Sequence, residues 1–431
     1  MKDMKVFPAT KLRGTVILPG DKSISHRAAM LAAIAVGETR IENFSTAEDC
    51  RTTIKCLERL GVSFTQNGTD VLVKGVGKTG LCKPEEPLYC GNSGTTARLI
   101  AGILAGQKFD SVLTGDTSLS QRPMNRIIQP LTAMGAKIKS ENGCLPMRVF
   151  GGQKLRGIEH ELPVASAQVK SCILLAGLFA DEETTVVERT PTRDHTERML
   201  KWFGTDIENT EKQISINGDA VLSARDVNIP ADISSAAFFI IAAACLKLSD
   251  ILIPNVGLNP TRTAILNVLS DLGADLQISM ATENSNEPRG SIRVCGGLGQ
   301  TSKSNQFRLG GDIIPNLIDE IPIFAVLGTQ INGGIEIRDA RELRHKESDR
   351  ISAIVKNLRK MNAVVEEFPD GFKVERSNLK GATVESFGDH RIAMAFAVAG
   401  LLADGETEIL DAECADVSFP GFFDTLRSVA D

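Results

Sequence analysis

The sequence predicts an α/β protein of two lobes, each made of three βαβαββ-like units, and three observations carry that expectation. Six times a small residue is followed by Asp, Asn or Ser, which opens a run of small and apolar residues: Gly20-Asp21, Gly91-Asn92, Ala165-Ser166, Ala231-Asp232, Gly311-Asp312 and Gly388-Asp389. After each run come a β-branched stretch and an amphipathic pattern, so the whole motif repeats at roughly 70 to 80 residues. The length, 431 residues, exceeds what one core usually serves.

Each pair predicts a helix start, because the Asp, Asn or Ser side chain accepts from the free N–H groups of the first turn. The helices expected behind the pairs are 23–36, 94–105, 168–180, 234–246, 313–327 and 392–402. They are apolar nearly all round, which places them inside the lobes. Strands are expected next, at 39–44, 111–114, 184–188, 251–256, 334–338 and 406–410, from their β-branched content and the turn residues before them. Second, amphipathic helices follow at 47–60, 123–134, 196–203, 261–272, 347–361 and 421–429. Two further short strands fit after each, as at 62–65 with 71–74. Asn228-Ile229-Pro230, just before the fourth pair, marks the crossing between lobes.

With 42% hydrophobic and 24% charged residues and a net charge of −6, the chain reads as a soluble globular protein, and its acidity argues against nucleic-acid or membrane-surface partners. The opening MKDMKVFPATKLRG lacks the apolar core of an export signal, and the longest apolar stretch, 236–246, is too short to span a bilayer. A cytoplasmic protein is expected. The nine cysteines are scattered singly, which fits buried thiols in a reducing compartment and argues against a zinc site.

The chemistry sits at the helix starts. Asp21-Lys22-Ser23-Ile24-Ser25-His26-Arg27 puts two cations and two hydroxyls on a first turn, where cations oppose the helix dipole. This is either a solvated basic turn or a site for an anion. Gly91-Asn92-Ser93-Gly94-Thr95-Thr96-Ala97-Arg98 offers glycines that let a phosphate approach the backbone, with hydroxyl donors beside them, although plain helix-entry geometry explains the same residues. Arg122-Pro123 is expected at a first turn, with Pro holding the entry rigid. Ser166-Ala167-Gln168-Val169-Lys170 and Arg193-Asp194-His195-Thr196-Glu197 add hydroxyl, amide and guanidinium groups. Arg193 could pair with Glu197, and His195 is expected to cap or pack.

The second lobe holds the acid–base candidates. Asp319 lies inside the apolar run 313–327, next to Glu320 and flanked by two prolines, and a carboxylate there needs a partner. In Arg344-His345-Lys346-Glu347-Ser348-Asp349-Arg350 a helix would put Lys346 and Arg350 on one face, with Glu347 reaching Arg350. An ordinary surface ion-pair network is the competing account. Asp389-His390-Arg391 again sets cations at a helix start. Four cationic starts together point to anionic ligands.

The segments Leu18 to Arg27, Gly91 to Thr95, Arg122-Pro123-Met124, Lys346 to Arg350 and Asp389-His390-Arg391 resemble, in order and across the whole chain, the 5-enolpyruvylshikimate-3-phosphate synthase family of 3-phosphoshikimate 1-carboxyvinyltransferases. The resemblance implies a two-lobe inside-out α/β fold with three units per lobe around a pseudo-threefold axis. It adds residues 1–20 to the second lobe, giving lobes of 21–228 and of 1–20 plus 229–431. The implied reaction moves the enolpyruvyl group of phosphoenolpyruvate to the 5-hydroxyl of shikimate 3-phosphate and releases phosphate, through a tetrahedral adduct.

Carried over by motif, Lys22, Gly94, Arg122 and Gln168 would hold the phosphoenolpyruvate phosphate, and Arg350 and Arg391 its carboxylate. Ser23, Arg27, Ser166, Gln168, Arg193, Asp319 and Lys346 would hold shikimate 3-phosphate. Asp319 would take the 5-hydroxyl proton, Glu347 would protonate the methylene carbon and Lys22 would balance charge on the leaving phosphate. No metal or organic cofactor is implied, and a monomer is expected.

Two departures bear on subtype. Where many members carry Lys two residues before the Phe-Pro pair, this chain has Val417. Gly20-Asp21-Lys22, Ser166 to Lys170, Arg193 to Glu197 and Asn259-Pro260-Thr261-Arg262 look like the glyphosate-tolerant subgroup. The alternative is the sister transferase that uses UDP-N-acetylglucosamine, which typically has Lys-Asn in place of Lys22-Ser23 and a reactive Cys on the loop equivalent to 116–121. Here that loop reads Asp-Thr-Ser-Leu-Ser-Gln. A non-catalytic anion binder is the rival of another class, and it would gain nothing from Asp319 and Glu347 beside a phosphate.

Overall fold

The computed structural model of the chain describes residues 2–210, 212–298 and 306–431. It contains two compact units: Gly20–Ile229 with Glu283–Glu287, and the chain up to Pro19 with Pro230–Thr282 and Pro288–Asp431. Glu283–Glu287 groups with the Gly20–Ile229 unit, and side-chain bonds explain it. Glu287 meets His195 at 2.7 Å, the Asn286 carbonyl accepts from Arg198, and Ser285 accepts from the Asn228 N–H.

The repeat is visible in the sheets. In the Gly20–Ile229 unit three four-stranded sheets share one order. They run Val227–Asn228, Val36–Glu42, Asp70–Val76, Ser63–Asn67; then Leu88–Tyr89, Ser111–Thr114, Met147–Phe150, Lys137–Ser140; then Glu159–Glu161, Thr184–Val187, Gln213–Ile216, Ile207–Asn209. In each the first pair is parallel and the others antiparallel. The first sheet takes its parallel strand from the far end of the unit, so the chain closes on itself.

The other unit repeats the order with Arg13–Thr15, Asp250–Gly257, Glu287–Cys295, Asp275–Asn284, and with Phe307–Leu309, Ile335–Ile337, Gly371–Val374, Val365–Phe368. Its third sheet joins Thr383–Glu385 and Thr407–Leu410 to Met4–Val6, with Met4 opposite Ile409. N-terminal strands thus complete two sheets of this unit.

Strands alternate buried and exposed residues, as in Gln213–Ile216, where Ile214 and Ile216 turn inward. They cover helices that have no polar side. Ile233–Cys245 is buried along its length except at Cys245. Lys22–Ile34, Gly94–Ala105, Ala167–Gly177 and His390–Leu401 are buried in the same way. Gly102 lets two of them close up, because a Cβ there would lie 2.3 Å from the Cys172 carbonyl oxygen.

Five caps form as expected in kind. Asp21, Ser93, Ser166, Asp232 and Asp389 accept from the N–H groups of Ile24, Thr96, Val169, Ser234 and Arg391. The second cap is Ser93 rather than Asn92. The fifth helix, expected over 313–327, is broken into Ile314–Leu317 and Ile321–Gly328, and neither piece has a side-chain cap. Pro322 explains the break, since it has no N–H to continue the ladder and its ring crowds the preceding turn. Among the described residues no helix is long and apolar enough to cross a membrane.

Candidate active site

In the Gly20–Ile229 unit the polar ends of the buried helices carry the cations. Lys22 Nζ lies 2.9 Å from Asp49 Oδ2, with both side chains mostly covered. Arg27 is buried among neutral acceptors, donating to Thr196 Oγ1, Ser171 Oγ and the Ser23 carbonyl at 2.7 to 2.9 Å. Burial pulls its guanidinium down to about 10, Glu197 and Asp21 oppose that, and Arg193 nearby adds to it. The group stays charged at neutral pH. A cation held by neutral hydroxyls inside a protein is poised for an anion.

The glycine turn is organised by arginines. Arg122 Nη2 donates to Asn92 Oδ1 and, at 3.2 Å, to Ser118 Oγ. Asn92 is itself fixed on Asp116 at 2.7 Å. The helix after Arg122 is Asn125–Ala133, so Pro123 precedes the first turn instead of sitting in it, and side chains, not helix geometry, hold Arg122. A Cβ on Gly94 would lie 2.6 Å from Arg98 Nη1. Arg98 in turn donates to Gln168 Oε1 at 2.7 Å, and Gln168 donates to Thr95 Oγ1 at 3.0 Å. Gly94, Gln168 and Arg122 therefore lie around one turn, while Ser166 caps the helix that bears Gln168.

His195 packs, as expected: it is buried against Glu287. Glu197 is engaged by a different cation from the one considered, since Lys170 Nζ sits 2.6 Å from Glu197 and 2.8 Å from Glu188, all three buried. A second buried line runs from His26 Nδ1 through Thr53 and Thr96 to Ser93, with steps of 2.6, 2.6 and 2.8 Å. It ties the first helix to the glycine turn. Burial, with Lys22 and Arg27 adding to it, holds His26 well below the ordinary imidazole range, so it is a neutral member of that line.

In the other unit the broken fifth helix leaves Asp319 at its gap. Its Oδ1 lies 3.5 Å from Arg350 Nη1, its Oδ2 3.6 Å from Arg391 Nη2, and its carbonyl accepts from Arg391 Nη1 at 3.1 Å. Arg350, 1% exposed, is a hub that also donates to Glu347 at 2.6 Å and Asp389 at 2.8 Å. These carboxylates raise its pKa despite burial. Lys346 is held below the ordinary lysine range by burial, although Asp319 opposes this.

The helix expected from Glu347 begins at Arg350, because Asp349 caps it by accepting from Ser352 N–H. Arg341–His345 is a short 3₁₀ turn and Lys346 has extended geometry, so Lys346 and Arg350 do not share a helix face. The ion pair between Glu347 and Arg350 forms without that helix. The cluster is a structured one: three carboxylates and three cations, with Asp389 and Arg350 fully covered. That excludes the solvated-surface account.

Sequence reasoning missed the groups that hold these residues: Asp49, Asn92, Arg98, Ser118 and the Asp389 carboxylate acting on Arg350. Asn92 and Arg98 stand inside a motif already singled out, but contacts distant in the chain set their roles, Asn92 with Asp116 and Arg122 and Arg98 with Gln168 of the next repeat, and no spacing reveals those. Asp49 lies in the first turn of Glu48–Arg59 beside Glu48, where an acidic residue breaks no local rule.

Comparison with known proteins identifies the family. The family model described as EPSP synthase (3-phosphoshikimate 1-carboxyvinyltransferase) matches residues 6–426. The chain is 53% identical to the 3-phosphoshikimate 1-carboxyvinyltransferase of Pelotomaculum thermopropionicum and 50% identical to that of Desulforamulus reducens, covering 99% of both chains in each case. It is similar to a solved EPSP synthase structure from Acinetobacter baumannii at a TM-score of 0.87 and 41% identity, over 100% of this chain and 98% of that one. Family model, relatives and fold lead to one conclusion: the chain belongs to the EPSP synthase (3-phosphoshikimate 1-carboxyvinyltransferase) family.

Proposed function

We propose that the chain transfers the enolpyruvyl group of phosphoenolpyruvate to the 5-hydroxyl of shikimate 3-phosphate, with the roles that follow. The observation that carries the reading is the Arg350 hub. Two candidate acid–base groups, Asp319 and Glu347, share one buried guanidinium: Nη2 donates to Glu347, and Nη1, 3.5 Å from Asp319, makes no hydrogen bond among the described residues.

Lys22, Gly94, Arg122 and Gln168 hold the donor phosphate, and Arg350 and Arg391 its carboxylate. Ser23, Arg27, Ser166, Gln168, Arg193, Asp319 and Lys346 hold the acceptor. Asp319 removes the proton of the 5-hydroxyl as its oxygen attacks C2 of the donor, and Glu347 delivers a proton to C3. The adduct then loses phosphate, with Lys22 balancing its charge, and C3 returns its proton. A donor carboxylate on Arg350 would draw the guanidinium from Glu347 and add like charge beside it, and both effects favour the protonated carboxyl that this step needs. The Lys22 ammonium carries three donors, so it can hold the donor phosphate while keeping Asp49.

Phosphate release from phosphoenolpyruvate, with shikimate 3-phosphate, UDP-N-acetylglucosamine or no acceptor, tests the reading. Turnover is expected only with the first. Turnover with the nucleotide sugar alone would favour the sister transferase, against which Lys22-Ser23 and the cysteine-free segment Thr117–Ser120 argue. We place this activity in a monomer in the cytoplasm, without metal, membrane or nucleic-acid partners. The acidic chain and two small soluble anions as substrates support that.

Membership of the glyphosate-tolerant subgroup rests on the four motifs and on Val417. Glyphosate is longer than phosphoenolpyruvate between its two anionic ends, so it must extend toward the turn at Gly94, which Arg98 already crowds. One clash of about 1.4 kcal/mol is tenfold in affinity. Steady-state inhibition against phosphoenolpyruvate is expected only far above its KM. Inhibition near KM would remove the subgroup and leave the enzyme.

A further inference from the structure

Next to Asp319 in the chain, Glu320 belongs to a second buried charge cluster that the proposed chemistry does not use. Glu320, 1% exposed, accepts from Ser234 Oγ. Arg262, 2% exposed, donates to the same Ser234 Oγ at 2.5 Å and lies 3.7 Å from Asp232 and 4.0 Å from Glu320. Asp232 caps the helix Ile233–Cys245 through Ser234 N–H at 2.8 Å. Arg262 is presented by a tight turn, in which Asn259 Oδ1 accepts from Thr261 N–H and Oγ1 and the Asn259 carbonyl from Arg262 N–H. The Asn259-Pro260-Thr261-Arg262 motif therefore serves to bring a guanidinium into the core.

Glu320 belongs to the helix break. Its N–H donates to the Leu317 carbonyl that ends one piece, and its carbonyl accepts from Ile323 and Phe324, which begin the next. Consecutive side chains at this gap are held by separate sets of partners: Glu320 by Ser234 and Arg262, Asp319 by Arg350 and Arg391. Among the described residues, the charged groups facing the gap are Asp232 and Arg262 on the Glu320 side, and Arg350, Arg391 and Lys346 on the Asp319 side.

We propose that Arg262 and Glu320, bridged by Ser234, are positioning residues that fix the helix break and so hold the Asp319 carboxylate at the acceptor hydroxyl. This rests on the reading of Asp319 as the base. A buried carboxylate at an uncapped, proline-broken helix start costs stability unless it is held, and holding it removes the freedom of its neighbour. Misplacement of a reacting group by about 1 Å can cost about 100-fold in rate.

Glu320→Gln, Arg262→Met, Arg262→Lys and the milder Ser234→Ala test this, with Asp319→Asn in parallel and active sites titrated. Glu320→Gln and Arg262→Met are expected to lower kcat about 10- to 100-fold with much smaller changes in KM for either substrate. Arg262→Lys is expected to recover part of that loss. A merely structural role would lower the melting temperature and the active fraction while leaving kcat per active site at the parent value. That outcome overturns the proposal, as does parent kcat in Ser234→Ala together with either Arg262 variant. If Asp319→Asn itself turns over normally, the base assignment fails instead. If Asp319→Asn is inactive while Glu320→Gln and Arg262→Met are normal, only the positioning role fails.

Discussion

Asp319→Asn and Glu347→Gln are each expected to lower kcat by about 10² to 10⁴, the usual contribution of a positioned proton acceptor or donor. Both changes keep the size and shape of the side chain and remove the ability to exchange a proton at neutral pH. An amide can still accept from Arg350, so the cluster around it should persist. The loss then belongs to the transition state and should appear in kcat far more than in binding. Calorimetric affinity for shikimate 3-phosphate should fall little for Glu347→Gln, because that residue is not among the acceptor contacts. Asp319→Asn should weaken the acceptor somewhat more, since Asp319 both holds the hydroxyl and takes its proton. Turnover within about tenfold of the parent in either variant, below the range typical of general acid–base groups, would show that the acid–base role lies elsewhere.

The sequence carried the repeat because the repeat is local. Each cap and the strand after it is written within one unit, and the same small-polar pair opens most of the buried helices. The misreadings cluster where something other than local pattern decides. Pro322 splits the fifth helix, and Asp349, rather than a residue before Glu347, sets the start of Arg350–Lys360. Arg122 was expected to be rigid because of Pro123, yet Asn92 and Ser118 hold it. Contacts between separate elements were invisible to spacing, whether from another repeat, as with Arg98 on Gln168 and Asp389 on Arg350, or within one, as with Arg262 on Ser234. The charged candidates were legible because cations at helix starts and a carboxylate in an apolar run each break a local rule. Their supporting residues break none. The sheets show the same limit, since nothing local announces that Met4–Val6 completes a sheet with Thr407–Leu410.

Arg350→Met is expected to abolish turnover and to destabilise its unit by about 3–5 kcal/mol, the range for removing one partner of a buried ion pair. Met fills much of the same space, so lost packing is a small part of the effect. The larger part is electrostatic: Asp389, Glu347 and Asp319 would remain near one another without the cation that joins them. Asp389 is the most exposed to this loss in energetic terms, being fully buried, and it also caps His390–Leu401. Arg350→Lys keeps the charge but offers a single ammonium where the guanidinium now reaches three carboxylates from three nitrogens, so it should restore only part of the stability and little of the activity. Acid should narrow the gap between parent and Met variant, since a protonated carboxyl no longer needs the missing cation. Chemical denaturation of the three proteins at neutral and mildly acidic pH measures this. A Met variant with the parent's unfolding midpoint at neutral pH would mean that the hub does not hold the cluster together, and the assignment of Asp319 and Glu347 to one shared guanidinium would fall with it.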